Sequence, residues 1–178
     1  MEHEVVLTTR RIYAGRIVNL RVDDVRTPDG YETIREIVEH PGAVALVVID
    51  DSDNVLLVKQ YRHAVRRITT EIPAGTLAPG EDPAVAAPRE LEEETGYTAA
   101  RFERIGGVHP SPGFCTEYIH LFVVTGLTHG TPHPEVDEEI EVEHVPWAEA
   151  LRRVRAGEIY DAKSVSALLL ADALRRAA

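Results

Sequence analysis

The sequence predicts a single α+β domain, and three features of the 178-residue chain predict it. Text from Glu4 to about Ala74 is strand-like, with β-branched runs separated by turn signals. After "EIPAG" the pattern turns helical, and then strands return and two helical segments close the chain. A domain boundary has nothing to rest on, because there is no internal repeat, low-complexity tract or linker. The segment 1–40 reads as N-terminal strands, and 41–178 reads as the core that carries the chemistry.

The early strands are divided by "AG" at 14–15, "PDG" at 28–30, "PG" at 41–42 and "DDSDN" at 50–54. Gly, Asn and Asp in these breaks accept unusual dihedrals or cap their own backbone. "AVALVVIDDSDNVLLVKQYR" reads as the strongest hairpin of the chain. Asp82 is placed to cap a helix with Pro83 at its first position, where the missing N–H costs nothing, and Gly96 is placed to end it. Strands follow in "ARFERIGGVHP", "EYIHLFVVTGL" and "EEIEVEHV". The closing helices begin at Pro146 and Ser164, the second with Ala167, Leu170, Ala171 and Leu174 on one face. Trp147 reads as a core anchor. Segment 128–139 reads as a loop carrying carboxylates.

Composition narrows the class of function. A net charge of −11 disfavours loose binding to nucleic acid, so an anionic substrate would need metal ions or a few placed arginines. One cysteine, Cys115, fits a reducing compartment, and the N-terminus has no signal-peptide pattern, so the expected location is the cytoplasm. The longest apolar run, Ala43 to Ile49, has seven residues against the roughly 20 of a membrane span. No membrane partner is expected.

The stretch "RELEEETG" carries the chemistry. Helical spacing brings Glu90, Glu93 and Glu94 to one face and sends Glu92 elsewhere. Like charges at these spacings destabilise a helix by about 0.2–0.5 kcal/mol per pair, and the C-terminal half of a helix further disfavours them. Arg89 is the only basic residue between Arg67 and Arg101, so a divalent cation is the better remedy. An all-oxygen donor set selects Mg²⁺ or Mn²⁺. His129 and His133, four apart in a loop with two prolines, read poorly as ligands. Pro88 removes an amide donor inside the helix, a cost on the order of 3 kcal/mol in a regular helix, and predicts a kink.

Gly75, Glu81, Arg89, Glu90, Glu93, Glu94 and Gly96 match Gly-x5-Glu-x7-Arg-Glu-U-x-Glu-Glu-x-Gly-U, with Tyr97 as the aromatic in the last apolar position U. This resembles the Nudix box. With "VEHPGAVALVVID", "VLLVKQYRHAV", "EIPAGTLAPGEDP", "SPGF" and "GEIYDAKSVSALLLAD", the resemblance covers roughly residues 35–175 and is similar to the ADP-ribose pyrophosphatase branch. Pro112, 15 residues beyond Tyr97, matches a proline of that branch.

The resemblance implies a Nudix α/β/α sandwich around a mixed sheet, with an antiparallel N-terminal extension that pairs across a homodimer. It implies Mg²⁺- or Mn²⁺-dependent hydrolysis of ADP-ribose to AMP and ribose 5-phosphate, with two or three ions per site. Glu90 and Glu94 would be the principal metal ligands, with Glu93 adjoining and the Ala74 carbonyl as an extra oxygen. Arg89 and Glu81 would orient those carboxylates. Arg62 would contact the diphosphate, and Glu117 would lie near ribose or metal. Glu135, Asp137, Glu138 and Glu139 compete as catalytic base, with Glu138 or Glu139 preferred because "EEIEV" aligns most naturally. Other nucleoside diphosphate sugars or dinucleotides remain alternative substrates, and a non-catalytic ADP-ribose sensor remains an alternative role. The intact carboxylate set argues against the sensor.

Overall fold

The computed structural model describes residues 3–130 and 140–177. They form two compact units, one of residues up to Gly42 with His109–Tyr118, the other of Ala43–Val108 and the described residues from Ile119 onward. Nothing in the text of 109–118 announces that this segment belongs with the N-terminal strands.

In the first unit, strands β1 (Val5–Ala14), β2 (Asn19–Arg26) and β3 (Glu32–Glu39) form an antiparallel sheet in that order. The "AG" and "PDG" breaks supply its turns, closed by Gly15 N–H to Val18 O at 3.0 Å and Gly30 N–H to Thr27 O at 2.9 Å. Segment 109–118 lies along β3 through Val38, whose N–H donates to Phe114 O at 2.8 Å and whose O accepts from Thr116 N–H at 2.9 Å.

The second unit holds β4 (Ala43–Val48), β5 (Asn54–Arg62), β6 (Arg67–Glu71), β7 (Ala74–Thr76), α1 (Pro83–Thr95), β8 (Tyr97–Val108), β9 (Ile119–His129), β10 (Glu141–Pro146), α2 (Trp147–Arg155) and α3 (Ala162–Ala177). One sheet runs β7-β4-β9-β8 and is mixed, since β4 and β9 are parallel; the other runs β10-β5-β6 and is antiparallel. Side chains alternate across a strand, and β4 is buried on both faces. Ala43, Ala45 and Val47 enter a core with α2 and α3, whereas Val44, Leu46 and Val48 enter a second core with α1. Helices therefore cover both faces of the mixed sheet, as an α/β/α sandwich requires.

The expected β4–β5 hairpin does not form. A strand buried on both faces is stabilised by neighbours on both edges, and β4 finds them in β7 and β9. Only an isolated bridge, Ile49 to Val55, joins it to the start of β5. Asp50 caps the intervening turn, accepting from Ser52 and Asn54 N–H at 2.9 Å each, and Asp53 takes φ 60° there. The last helix also differs from expectation. It starts two residues early, with the Asp161 carboxylate accepting Ser164 N–H at 3.0 Å, and its buried face is Ser164, Ala167, Leu168 and Ala171, which leaves Leu174 exposed. Trp147 is a core anchor, its indole N–H donating to Asp172 at 3.3 Å under the Arg175 guanidinium.

Candidate active site

Helix α1 is specified at both ends by its own residues. Asp82 accepts Ala84 N–H at 2.9 Å, Pro83 occupies the first turn, and Gly96 takes φ 71° and donates to Glu92 O at 2.9 Å. The helix runs from Pro83 to Thr95 through Pro88 as one element. Pro88 and Ala84 are both exposed, so the carbonyl the proline strands lies on the side water reaches. Ala86, Ala87 and Leu91 seat the opposite side in the core.

Helical phase then sorts the glutamates. Glu92 is exposed, Glu93 is half-buried, and Glu90 and Glu94 retain only 7% and 6% of their surface. Such burial of carboxylates is costly without charged or hydrogen-bonding partners. Glu94 accepts Ala74 N–H at 3.0 Å, which holds it beside the start of β7. Glu90 lies directly against Gly75, where any Cβ would fall inside its carboxylate. That close approach explains the glycine.

Arg89 does more than its single charge suggested. Its guanidinium reaches Glu81 at 3.1 Å, Glu90 at 2.8 Å and Glu93 at 2.9 Å. Although burial opposes its charge, the bonds to Glu81, Glu90 and Glu93 raise its pKa further above the ordinary arginine value. The Glu81 carboxyl is lowered by Ala78 N–H, which it accepts at 2.8 Å, and by Arg89. As the side chains stand, no three Asp, Glu, His or Cys among the described residues are gathered closely enough to hold an ion. Arg89 sits among the carboxylates instead. The donor set still fits a hard divalent cation, since buried carboxylates and peptide oxygen beside a glycine offer only oxygen ligands.

Other predicted residues lie elsewhere. Arg62 is on β5, bound to buried Glu71 at 3.0 and 2.7 Å. Pro112 and Glu117 are in the first unit. Pro112 is second in a turn closed by Phe114 N–H to Ser111 O at 3.2 Å, and Glu117 is 3.7 Å from the His40 ring. His129 packs edge-on to Tyr97 at 5.0 Å. Glu135, Asp137, Glu138, Glu139 and His133 lie outside the described residues. Sequence reasoning missed Glu71 and Lys163, which meet around Arg62.

Helices cover the mixed sheet, and the capped helix α1 sets buried Glu90 against Gly75 and buried Glu94 on the Ala74 N–H. The comparisons agree. A family model for the NUDIX domain matches residues 39–167, and one for the nucleoside diphosphate sugar hydrolase N-terminal domain matches 4–38. An ADP-ribose pyrophosphatase of Bacillus subtilis (strain 168) is 42% identical over 167 residues, 93% of this chain and 90% of the relative. A methanol dehydrogenase activator of Bacillus methanolicus is 43% identical over 167 residues with the same two coverages. The solved structure of an ADP compounds hydrolase has the same fold, with a TM-score of 0.88 over 99% of this chain and 96% of that one at 21% identity. The chain belongs to the Nudix hydrolase family.

Proposed function

We propose that this Nudix hydrolase cleaves the diphosphate of ADP-ribose with water, giving AMP and ribose 5-phosphate, and depends on Mg²⁺ or Mn²⁺. The observation that carries the reading is the pair of buried carboxylates, Glu90 and Glu94, set against the Ala74–Gly75 backbone. Divalent ions, when bound, would neutralise developing phosphoryl charge and supply a water of lowered pKa. Glu90 and Glu94, with Glu93 and the Ala74 carbonyl, are the residues that would hold them. Arg89, tied to Glu81, orients Glu90 and Glu93. By resemblance to the family, Arg62 meets the diphosphate, Glu117 lies near ribose or metal, Pro112 shapes its loop, and Glu138 or Glu139 takes the proton from water.

The named activity of the B. subtilis relative supports ADP-ribose as substrate. The match of residues 4–38 to a nucleoside diphosphate sugar hydrolase model favours a second reading, another nucleotide sugar. Hydrolysis of a diphosphate panel with Mg²⁺ or Mn²⁺, products identified, separates the two for the native chain and for Glu94→Gln. The expected result is preferential production of AMP from ADP-ribose, lost in the variant. Preference for another compound would replace the substrate, and tight ADP-ribose binding without turnover would make the chain a sensor.

We also infer a homodimer acting in the cytoplasm. Strand β1 is exposed along its whole length, and Val5, Val6, Ile12, Tyr13, Tyr31 and Ile34 leave apolar surface on the first unit's sheet. No helix of the described residues is long and apolar enough to cross a membrane. Light scattering after size exclusion should give twice the chain mass, and a monomer at micromolar concentration would refute the dimer.

A further inference from the structure

The β5–β6 hairpin ends in positive charge that the chain as a whole lacks. Arg62, His63, Arg66 and Arg67 fall within six residues of a chain whose net charge is −11. Sheet register sets Arg62 opposite Arg67, a like-charge pair that disfavours the hairpin, and Arg66 takes φ 53°, an uncommon conformation for a non-glycine residue. Repulsion alone would let Arg62 swing away.

Glu71 restrains it. Its two oxygens accept Arg62 Nε at 3.0 Å and Nη2 at 2.7 Å, a fork that fixes the plane of the guanidinium. Glu71 is buried and is itself anchored, by Thr69 Oγ1 at 2.5 Å and by Lys163 of α3. Burial would raise the Glu71 carboxyl, yet the hydrogen bond from Arg62, the charge and hydrogen bond of Lys163, and Thr69 hold it down at about 2. Lys163 is fixed in turn by Asp161 at 3.0 Å, and the next residues along each element are tied by Ile72 N–H to Ser164 Oγ at 2.9 Å. Arg62 remains 40% exposed, so a rigid support ends in a cation that an anion in solution can reach.

A buried ion pair is weak as a stabiliser, because apolar residues of similar volume often serve as well. Its geometric value is greater. We propose that Glu71, backed by Thr69 and Lys163, is a positioning residue that aims the Arg62 guanidinium at the substrate diphosphate. This rests on the reading that Arg62 meets the diphosphate.

Charge and geometry give opposite signs for Glu71→Gln. Loss of one negative charge beside Arg62 would tighten an anionic substrate if potential alone mattered, whereas loss of aim weakens it. On the diphosphate that the full chain turns over fastest, Glu71→Gln is expected to raise KM about tenfold with kcat within about twofold, and to have no further effect on KM in an Arg62→Ala background. Thr69→Val, which changes no charge, should raise KM about twofold to threefold in the native background only, and it serves as the test if Glu71→Gln does not fold. A lowered or unchanged KM with only a lower melting temperature would make Glu71 structural and overturn the proposal. Equal effects in both backgrounds would overturn positioning while leaving Arg62 at the diphosphate. An unaltered KM in Arg62→Ala itself would remove the underlying reading and the proposal with it.

Discussion

Replacing Gly75 by alanine should disable the site while leaving the fold standing. The new Cβ falls inside the Glu90 carboxylate, and carbon atoms need about 3.5–4 Å between them, so the carboxylate must retreat by roughly 1–2 Å. Backbone strain is not involved, because Gly75 carries no left-handed φ. Glu90 retains 7% of its surface and is bound to Arg89 at 2.8 Å, so its movement also disturbs the guanidinium that reaches Glu81 and Glu93. A misplacement near 1 Å at a catalytic centre costs about 10²-fold, and crowding a packed site costs about 1–3 kcal/mol of stability. Steady-state hydrolysis at saturating Mg²⁺, with circular dichroism melting alongside, reads both quantities. The expected result is a loss in kcat/KM near 10²-fold with a folded protein. Native kcat/KM in Gly75→Ala would refute the close approach of Glu90 as a functional requirement.

Acid should act through Glu71. Its carboxyl is held down at about 2 against an ordinary 4.5, so the folded chain resists the proton that the unfolded chain accepts; the stabilisation is complete above about 4.5 and fades as pH falls toward 2. That shift corresponds to roughly 3 kcal/mol, and urea unfolding at neutral pH and near pH 3 should show Glu71→Gln losing less stability than the native chain; equal losses would contradict it. Pro88→Ala restores the missing helix bond at an exposed position, and the melting temperature should rise, by several degrees if about 1–3 kcal/mol is regained; a fall would mean that the proline is wanted in this helix. Asp82→Ala removes the cap on Ala84 N–H and should lower the melting temperature by about 2–4 °C, with no change expected if water replaces the cap fully.

Local rules made α1 legible. Asp82, Pro83 and Gly96 act within a turn of themselves, and the 3.6-residue period alone separates exposed Glu92 from buried Glu90 and Glu94. The spacing from Gly75 to Tyr97 carried the family, and the family carried the sandwich. What escaped depends on partners distant in the chain. β4 reads as half of a hairpin until β9, more than seventy residues on, is seen beside it in parallel. The diphosphate role of Arg62 comes from resemblance alone, and its anchorage does not show in the sequence because the Lys163 that backs Glu71 stands 92 residues from it. Arg89 reads only as the one basic residue near the acidic cluster; three carboxylates converge on its single guanidinium because a fork of donors can serve several acceptors at once.

Calorimetric titration of the substrate-free chain with Mn²⁺ tests the central claim most directly, comparing the native protein with Glu90→Gln, Glu94→Gln. Saturable binding that is lost in the double variant, with the melting temperature retained, is the predicted result. Equal Mn²⁺ binding by both proteins would contradict the assignment of Glu90 and Glu94 as the carboxylates that hold the metal.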